Sequence, residues 1–361
     1  MKTLLVGLSA DGHRKQYLEY IAKVIDQDDN AILLCPETCI NDFDIACKRI
    51  MKTKFEGKRT LIQYFLMLFQ IKKIAIEEKV DIIHFLEGDE IYRFFGLGLE
   101  MFLRFRVVIT FHHLYTDTWR NVAIKLIMSK IDCSVVHTKL LAEYYSSAVK
   151  KVLIKHIEYP VFDYDKLLAI SPSIAKKEYS LPLDKKIVGL LGGTQRYKGY
   201  HFLLENLGDL KKENIHFFFA GVERDYTYNQ IKDALEKNSV EGTIVLRKLT
   251  SYEFRCAVQA CDIILLPYGR EFNGASGPLA EGACAEKLII GSDYGSLGSL
   301  ICDNHIGYTF KVENGKDLIN VLNQIEEKEY KYDEVAKKYQ KSLRPEFFGE
   351  AYLKIYNQLL A

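Results

Sequence analysis

The chain has 361 residues, 48% hydrophobic and 27% charged, with 49 Lys and Arg against 48 Asp and Glu. That size and balance describe a globular protein of two or three domains and exclude a disordered or collagen-like chain. A net charge of +1 argues against nucleic-acid binding, which rests on a basic excess, so any anion must be held by a local site.

Residues Met1 to Leu8 form a short apolar run followed at once by Asp11, His13, Arg14 and Lys15, which reads as an opening strand and not as a secretion signal. Further strands are expected over 31–35, 81–86, 106–111, 133–137 and 151–156. Amphipathic helices are expected over 13–27, 58–79 and 119–130. Lys52, Lys54, Lys58 and Arg59 lead into the apolar run Leu61 to Phe69, with Lys72 and Lys73 beyond it. Such a helix either packs on its own sheet or lies on an anionic membrane surface. Glu87, Gly88, Asp89 and Glu90 follow a strand and read as a surface loop before an acceptor contact. Val107 to Phe111 ends in His112 and His113, where a strand-end histidine could meet a reacting group. Trp119 reads as a helix anchor.

Pro160, Pro172 and Pro182 mark one proline-dense stretch, where continuity breaks. The expected domains are 1–165, joined by a returning helix over 345–361, and 166–344. The second half repeats the alternation, with strands over 186–191, 216–220, 243–247, 262–266, 287–291 and 308–310. Its helices are expected over 200–212, 226–237, 251–260, 277–285 and 316–326. This pattern implies an α/β fold of two doubly wound Rossmann-like domains with a cleft between them. None of the eight cysteines pairs at zinc-site spacing, so free thiols in a reducing cytoplasm are expected. No uncharged apolar stretch reaches membrane-spanning length.

Two segments carry chemistry. Strand 186–191 runs into Gly192, Gly193, Thr194, Gln195, Arg196, Tyr197, Lys198 and Gly199, and then a helix. Glycines admit close backbone approach to a ligand, a helix start suits phosphate oxygens, and Arg196 and Lys198 add full charges. Neither the GxxxxGK[ST] nor the GxGxxG spacing is present, and a surface turn capped by glycines is the competing reading. The second segment follows strand 262–266 with Pro267, Tyr268, Gly269, Arg270, Glu271, Phe272, Asn273, Gly274 and Ala275. Ser276, Gly277, Pro278, Leu279 and Glu281 then open a helix. Ligands of open α/β sheets bind beyond the carboxyl ends of strands, and Glu281 can accept hydrogen bonds from a ribose diol.

Together these segments, with Phe217 to Gly221 and Lys287 to Ser292, make residues 185–325 resemble the nucleotide-binding domain of GT-B retaining glycosyltransferases of family 4. The resemblance implies a sugar transfer, with retention, from a nucleotide-diphosphate donor to a saccharide or lipid-linked hydroxyl acceptor in bacterial envelope polysaccharide or glycolipid assembly. It implies Lys198 on the donor diphosphate, with Arg196 and Gly192, Gly193 and Thr194 in the same loop. Glu281 matches the second glutamate of the E-x7-E motif, on the ribose. Ser276, Gly277, Pro278 and Leu279 are placed at phosphate or donor sugar, and His112 at the reacting sugar. Gly12 and His13 match an acceptor-side loop. Two positions depart from the pattern: Asn273 stands where the first glutamate belongs, with Glu271 beside it, and Gly193 replaces the phosphate-binding arginine. The resemblance implies no essential metal or cofactor and a cytoplasmic enzyme, with peripheral membrane contact through 52–73. A non-catalytic nucleotide-sugar binder, an inverting transferase and a nucleotide-sugar epimerase of the same fold stay open as alternatives.

Overall fold

The computed structural model describes residues 1–8, 13–26, 30–38, 40–43, 45–53, 60–113, 118–211, 213–272, 274–325 and 330–361. Gly12 and Asn273 lie outside the described residues, as do Lys54, Lys58 and Arg59. His13 opens a helix, but its side chain is likewise outside. The chain forms two units, Met1–Phe162 with Pro345–Ala361, and Asp163–Arg344.

The first unit holds seven parallel strands: β1 (Thr3–Val6), β2 (Ala31–Pro36), β3 (Cys47–Met51), β4 (Ile82–Phe85), β5 (Arg106–Phe111), β6 (Cys133–Val136) and β7 (Leu153–His156), in the order 3-2-1-4-5-6-7. The second holds β8 (Lys186–Leu191), β9 (Ile215–Gly221), β10 (Gly242–Leu246), β11 (Ile263–Leu266), β12 (Leu288–Ser292) and β13 (Gly307–Phe310), in the order 10-9-8-11-12-13. Central strands such as β5, Arg-Val-Val-Ile-Thr-Phe, are buried from the second residue on. Such near-continuous apolar runs are required where helices cover both faces of a parallel sheet. In each unit the strand order reverses beside its first strand, at β1/β4 and at β8/β11, and α/β sheets bind ligands at that reversal.

Several elements depart from the sequence expectation. The edge strand β3, Cys-Lys-Arg-Ile-Met, has no apolar alternation to signal it, and its exposed charges suit an unpaired edge. Helices Lys139–Ala148 and Gly295–Asp303 also arise where none was expected. The helix expected over 200–212 ends at Leu204 and resumes as a short turn over Leu207–Asp209; Asn206 there turns its side chain back to the Phe202 carbonyl, 3.0 Å away, in competition with the helix ladder. The proline-bearing stretch supplies a short helix, Pro172–Glu178, with Pro172 in its first turn and Ser171 capping Ile174.

The last helix, Pro345–Leu360, belongs to the first unit, where Phe348, Tyr352, Ile355 and Tyr356 join the buried cluster of Tyr17, Leu18 and Ile21. A polar chain secures it. The Tyr352 hydroxyl bonds Tyr17 and lies 3.2 Å from Thr110 Oγ1, while His84 bridges Thr110 at 2.9 Å and Tyr356 at 2.6 Å. Burial holds the His84 imidazole neutral, its pKa pushed down to about 3. Satisfied networks of this kind fix one packing arrangement, because each buried polar atom is costly without its partner.

Candidate functional site

In the second unit the loops after β8 and β11 meet at the strand reversal. Gly199 adopts φ +68°, and a Cβ there would lie 1.8 Å from the Pro267 carbonyl oxygen, so only glycine lets the two backbones touch. The Gly269 N–H donates to the Tyr197 carbonyl at 2.8 Å, closing the junction. Thr194 is fully buried; its hydroxyl donates to the Tyr226 carbonyl at 2.7 Å and accepts from the Arg224 N–H at 2.8 Å. Thr194 therefore shapes the loop through its own hydrogen bonds. Gly193 is covered by the Gln195 amide, whose oxygen would lie 2.6 Å from a Cβ there. Sequence reasoning did not single out Gln195, and its Oε1 is buried without a partner.

Lys198 reaches under this loop. Its ammonium donates to the Leu191 carbonyl at 3.3 Å and lies 5.6 Å from the ring centre of Tyr268. Among the described residues no carboxylate lies within ion-pair distance of it. Burial lowers its pKa, the response of a cation stripped of water without a compensating anion. Gly192, at φ +101°, would place a Cβ 2.5 Å from that ammonium, so glycine keeps the space above the lysine open. Arg196 is exposed, with its backbone N–H fixed on Asp225 Oδ2 at 2.7 Å.

Tyr268, which carried no weight in the sequence, links Lys198 to the second loop: its hydroxyl is hydrogen-bonded to that of Ser276. Ser276 caps the helix Gly277–Cys284 and accepts from the Leu279 N–H at 3.3 Å. Lys198 and the start of this helix thus belong to one constellation. Pro278 has no N–H and that of Leu279 is used by the cap, which leaves Gly277 as the helix-start amide among the described residues that is open to a ligand. The phosphate contact expected from Leu279 is accordingly narrowed to Gly277. Glu271 is exposed on the preceding loop.

Glu281 sits one turn into the same helix. Its Oε2 is buried and has no hydrogen-bond partner. Burial, then the nearby Asp163, raise its pKa to about 8, against the opposing pull of Arg255. Arg255 is itself paired with Asp163 at 2.6 Å. A carboxyl so placed stays protonated at neutral pH until donors arrive that favour its charged form.

In the first unit, the ends of β1, β4 and β5 are braced by two carboxylates. Glu87 Oε2 accepts the Leu8 N–H at 2.6 Å, and Asp89 accepts the N–H groups of His112 at 2.6 Å and His113 at 3.2 Å. Both acids are at most 5% exposed, which corrects the surface-loop reading of 87–90: paired N–H donors repay the burial of the charge. His112 Nε2 donates to the Leu86 carbonyl at 2.8 Å. Its ring lies 5.1 Å from that of His137 and 5.4 Å from that of Tyr17. A cavity of about 30 Å³ among Gly7, Tyr17, Glu87, His112 and Tyr159 has room for a water molecule. Replacing Asp89 by Ala should strip both strand-end amides of their acceptor and cost about 2–3 kcal/mol in urea denaturation; an unchanged midpoint would refute the bracing role. Trp119 is 72% exposed, and its one ring contact among the described residues is Phe95, at 5.1 Å; the anchoring role expected of it is not what the structure places there.

Residues 173–343 match the family described as glycosyl transferases group 1. The second unit is a group 1 glycosyltransferase domain. The whole chain has the two-domain fold of such enzymes. It superposes on sucrose-phosphate synthase from Thermosynechococcus elongatus with a TM-score of 0.76 at 15% identity, over 100% of this chain and 99% of that one. A glycosyltransferase from Rickettsia africae gives 0.76 at 17% identity, over 99% and 98% of the two chains. HepE from Anabaena, solved in complex with UDP, gives 0.76 at 15%, over 99% and 100%. At these identities the likeness is one of fold. No curated protein matches the sequence. Within this domain the loops after β8 and β11, which carry Lys198 and the Gly277 helix start, follow the two strands at which the strand order reverses.

Proposed function

We propose that the protein is a retaining glycosyltransferase that moves a sugar from a nucleoside-diphosphate sugar to a hydroxyl acceptor, saccharide or lipid-linked, in cell-surface polysaccharide or glycolipid assembly. The observation that carries this reading is the half-buried Lys198 ammonium, without a carboxylate partner among the described residues, beneath Gly192 and tied through Tyr268 and Ser276 to the Gly277 amide. A pyrophosphate supplies the missing negative charge at that point. Arg196 is the second cation, and the exposed Glu271 is a donor-sugar ligand in this reading. The structural relative HepE, solved with UDP, supports a nucleoside diphosphate as the leaving group.

In the proposed step the bond between the anomeric carbon and the diphosphate oxygen breaks, and a bond from that carbon to the acceptor oxygen forms on the same face. The acceptor proton passes to the departing phosphate oxygen. Lys198 and the Gly277 amide take up the charge on the diphosphate, stabilisation that exists before the reaction begins. His112, held by Asp89 and Leu86, orients the sugar. The same charge neutralisation removes the need for an essential metal.

Glu281 is the ribose ligand in this reading, the hydroxyl pair donating to its vacant Oε2. Glu281→Ala should weaken UDP or GDP binding about tenfold or more in calorimetry, the scale of hydrogen bonds to a charged acceptor. Affinity of the wild type should rise with pH toward 8, because binding favours the carboxylate. Equal affinity in wild type and variant for both nucleotides would remove Glu281 from the site.

A further inference from the structure

Strand β10, Gly-Thr-Ile-Val-Leu, is an outermost strand of the second sheet and pairs with β9 alone. Its residues Thr243 to Leu246 are half-buried, whereas β9 beside it is buried throughout. The Glu241 carbonyl accepts the Phe217 N–H of β9 at 3.0 Å. Alternation along a strand turns the N–H and C=O groups of Gly242, Ile244 and Leu246 the other way, to the open edge. Such a row is a template for a further strand, and edges are commonly blunted with charge. β3 carries Lys48 and Arg49, and β7 carries Lys155; Tyr308 of β13 meets the ring of Tyr330 at 5.7 Å. β10 holds no charge between Glu241 and Arg247. His216 Nε2 lies 2.9 Å from the Thr243 hydroxyl, which pins β10 on β9.

The charges at the two ends of the strand identify the occupant. In an antiparallel pair about a two-fold axis through Ile244, Gly242 faces Leu246 of the other copy, Thr243 faces Val245, and Glu241 faces Arg247. The outward groups of Gly242, Ile244 and Leu246 meet across that axis, so one register completes the ladder and sets opposite charges against each other at both ends. An axis through Thr243 or Val245 would set Glu241 against Val245 or Leu249. Within its own chain Glu241 holds Lys185 at 2.6 Å and Arg247 holds Glu253 at 2.5 Å, yet the carboxylate and the guanidinium are each more than half exposed. Both groups have the capacity for a second partner. Lys232 and Glu236 neutralise each other at 3.6 Å, and Lys248 faces Val240, with its own counterpart at the far end of the ladder. A groove of about 380 Å³ between the edge and helix Tyr228–Lys237, lined by Tyr228, Leu235, Val240 and Ile244 among others, gives apolar side chains of the second copy a place to pack.

We propose that β10 pairs antiparallel with β10 of a second copy, so that the second sheet runs on across a two-fold dimer. Such an interface is isologous, each copy presenting the same patch. The inference is independent of the sugar transfer proposed above.

Sedimentation velocity on the full chain, over a concentration series in the micromolar range, should show monomer passing to dimer. Glu241→Arg and Arg247→Glu should each weaken the dimer about tenfold or more, because like charges then face each other at both ends. An equimolar mixture of the two single variants should associate again, since opposite charges are restored between unlike copies. Circular dichroism checks the fold of each variant, and recovery in the mixture cannot come from misfolded chains. Monomer at every concentration overturns the proposal. So does a dimer that neither variant weakens, or a pair of variants whose mixture stays monomeric.

Discussion

Lys198→Ala should reduce kcat/KM for a nucleoside-diphosphate sugar about 100-fold or more, equivalent to roughly 3 kcal/mol of lost transition-state stabilisation. The argument rests on where the charge stands. The ammonium is removed from water, lies against a carbonyl and an aromatic ring, and has no acid beside it among the described residues. An isolated cation at such a depth weakens the fold, so its removal should leave the melting temperature unchanged or slightly raised while activity falls. Lys198→Arg should not rescue: Gly192 leaves space for a compact ammonium, and a planar guanidinium has a different shape and reach. Gly192→Ala should mimic the defect, since the new methyl group would meet the ammonium. Turnover close to wild type in Lys198→Ala, measured with a confirmed donor, would place the leaving group elsewhere.

Most of the fold was legible because buried parallel strands carry dense local signals. Strand β8 and helix Ser251–Ala260 match the expected bounds, the first for its apolar run and the second for its Thr250 capping box. β3 was silent because an edge strand needs few apolar residues. In the site, Gly192, Lys198, Ser276 and Gly277 were visible as glycines, cations and a helix start at strand ends. Tyr268, Gln195, Asp89 and Arg255 were not, because their significance lies in contacts with residues distant in sequence. Thr194 illustrates the converse: a polar residue in a ligand-binding loop whose hydroxyl serves the loop itself. The acidic run 87–90 looked solvated because the strand-end amides that Glu87 and Asp89 accept are invisible in sequence.

The first unit should be unusually sensitive to mild acid. His84 has its pKa pushed down to about 3, His156 to about 4, and His137 well below the usual range, each chiefly by burial. All three are neutral in the folded unit and take up protons near pH 6.5 once unfolded. The stability they contribute is therefore complete above pH 6.5 and is lost as pH falls toward 4. Glu158, 3.5 Å from His156 and raised by burial to about 7, acts in the opposite sense: the folded unit keeps its proton between pH 7 and 4.5 while the unfolded chain releases it. The balance between pH 6 and 5 is a net uptake of roughly two protons on unfolding, a slope on the order of 3 kcal/mol per pH unit. Against a typical stability of about 5–15 kcal/mol, that removes a substantial part of the first unit's stability by pH 4.5. In the second unit Glu281, raised to about 8, favours the folded state as pH falls toward 4.5, against the opposing pull of His216, which burial lowers. Urea denaturation at pH 7 and pH 5, followed by hydrogen exchange of first-unit peptides and by circular dichroism for the whole chain, should show the first-unit transition moving to lower urea at pH 5 and separating from the remainder. A first-unit midpoint unchanged or higher at pH 5 would mean that these imidazoles reach water in the folded protein.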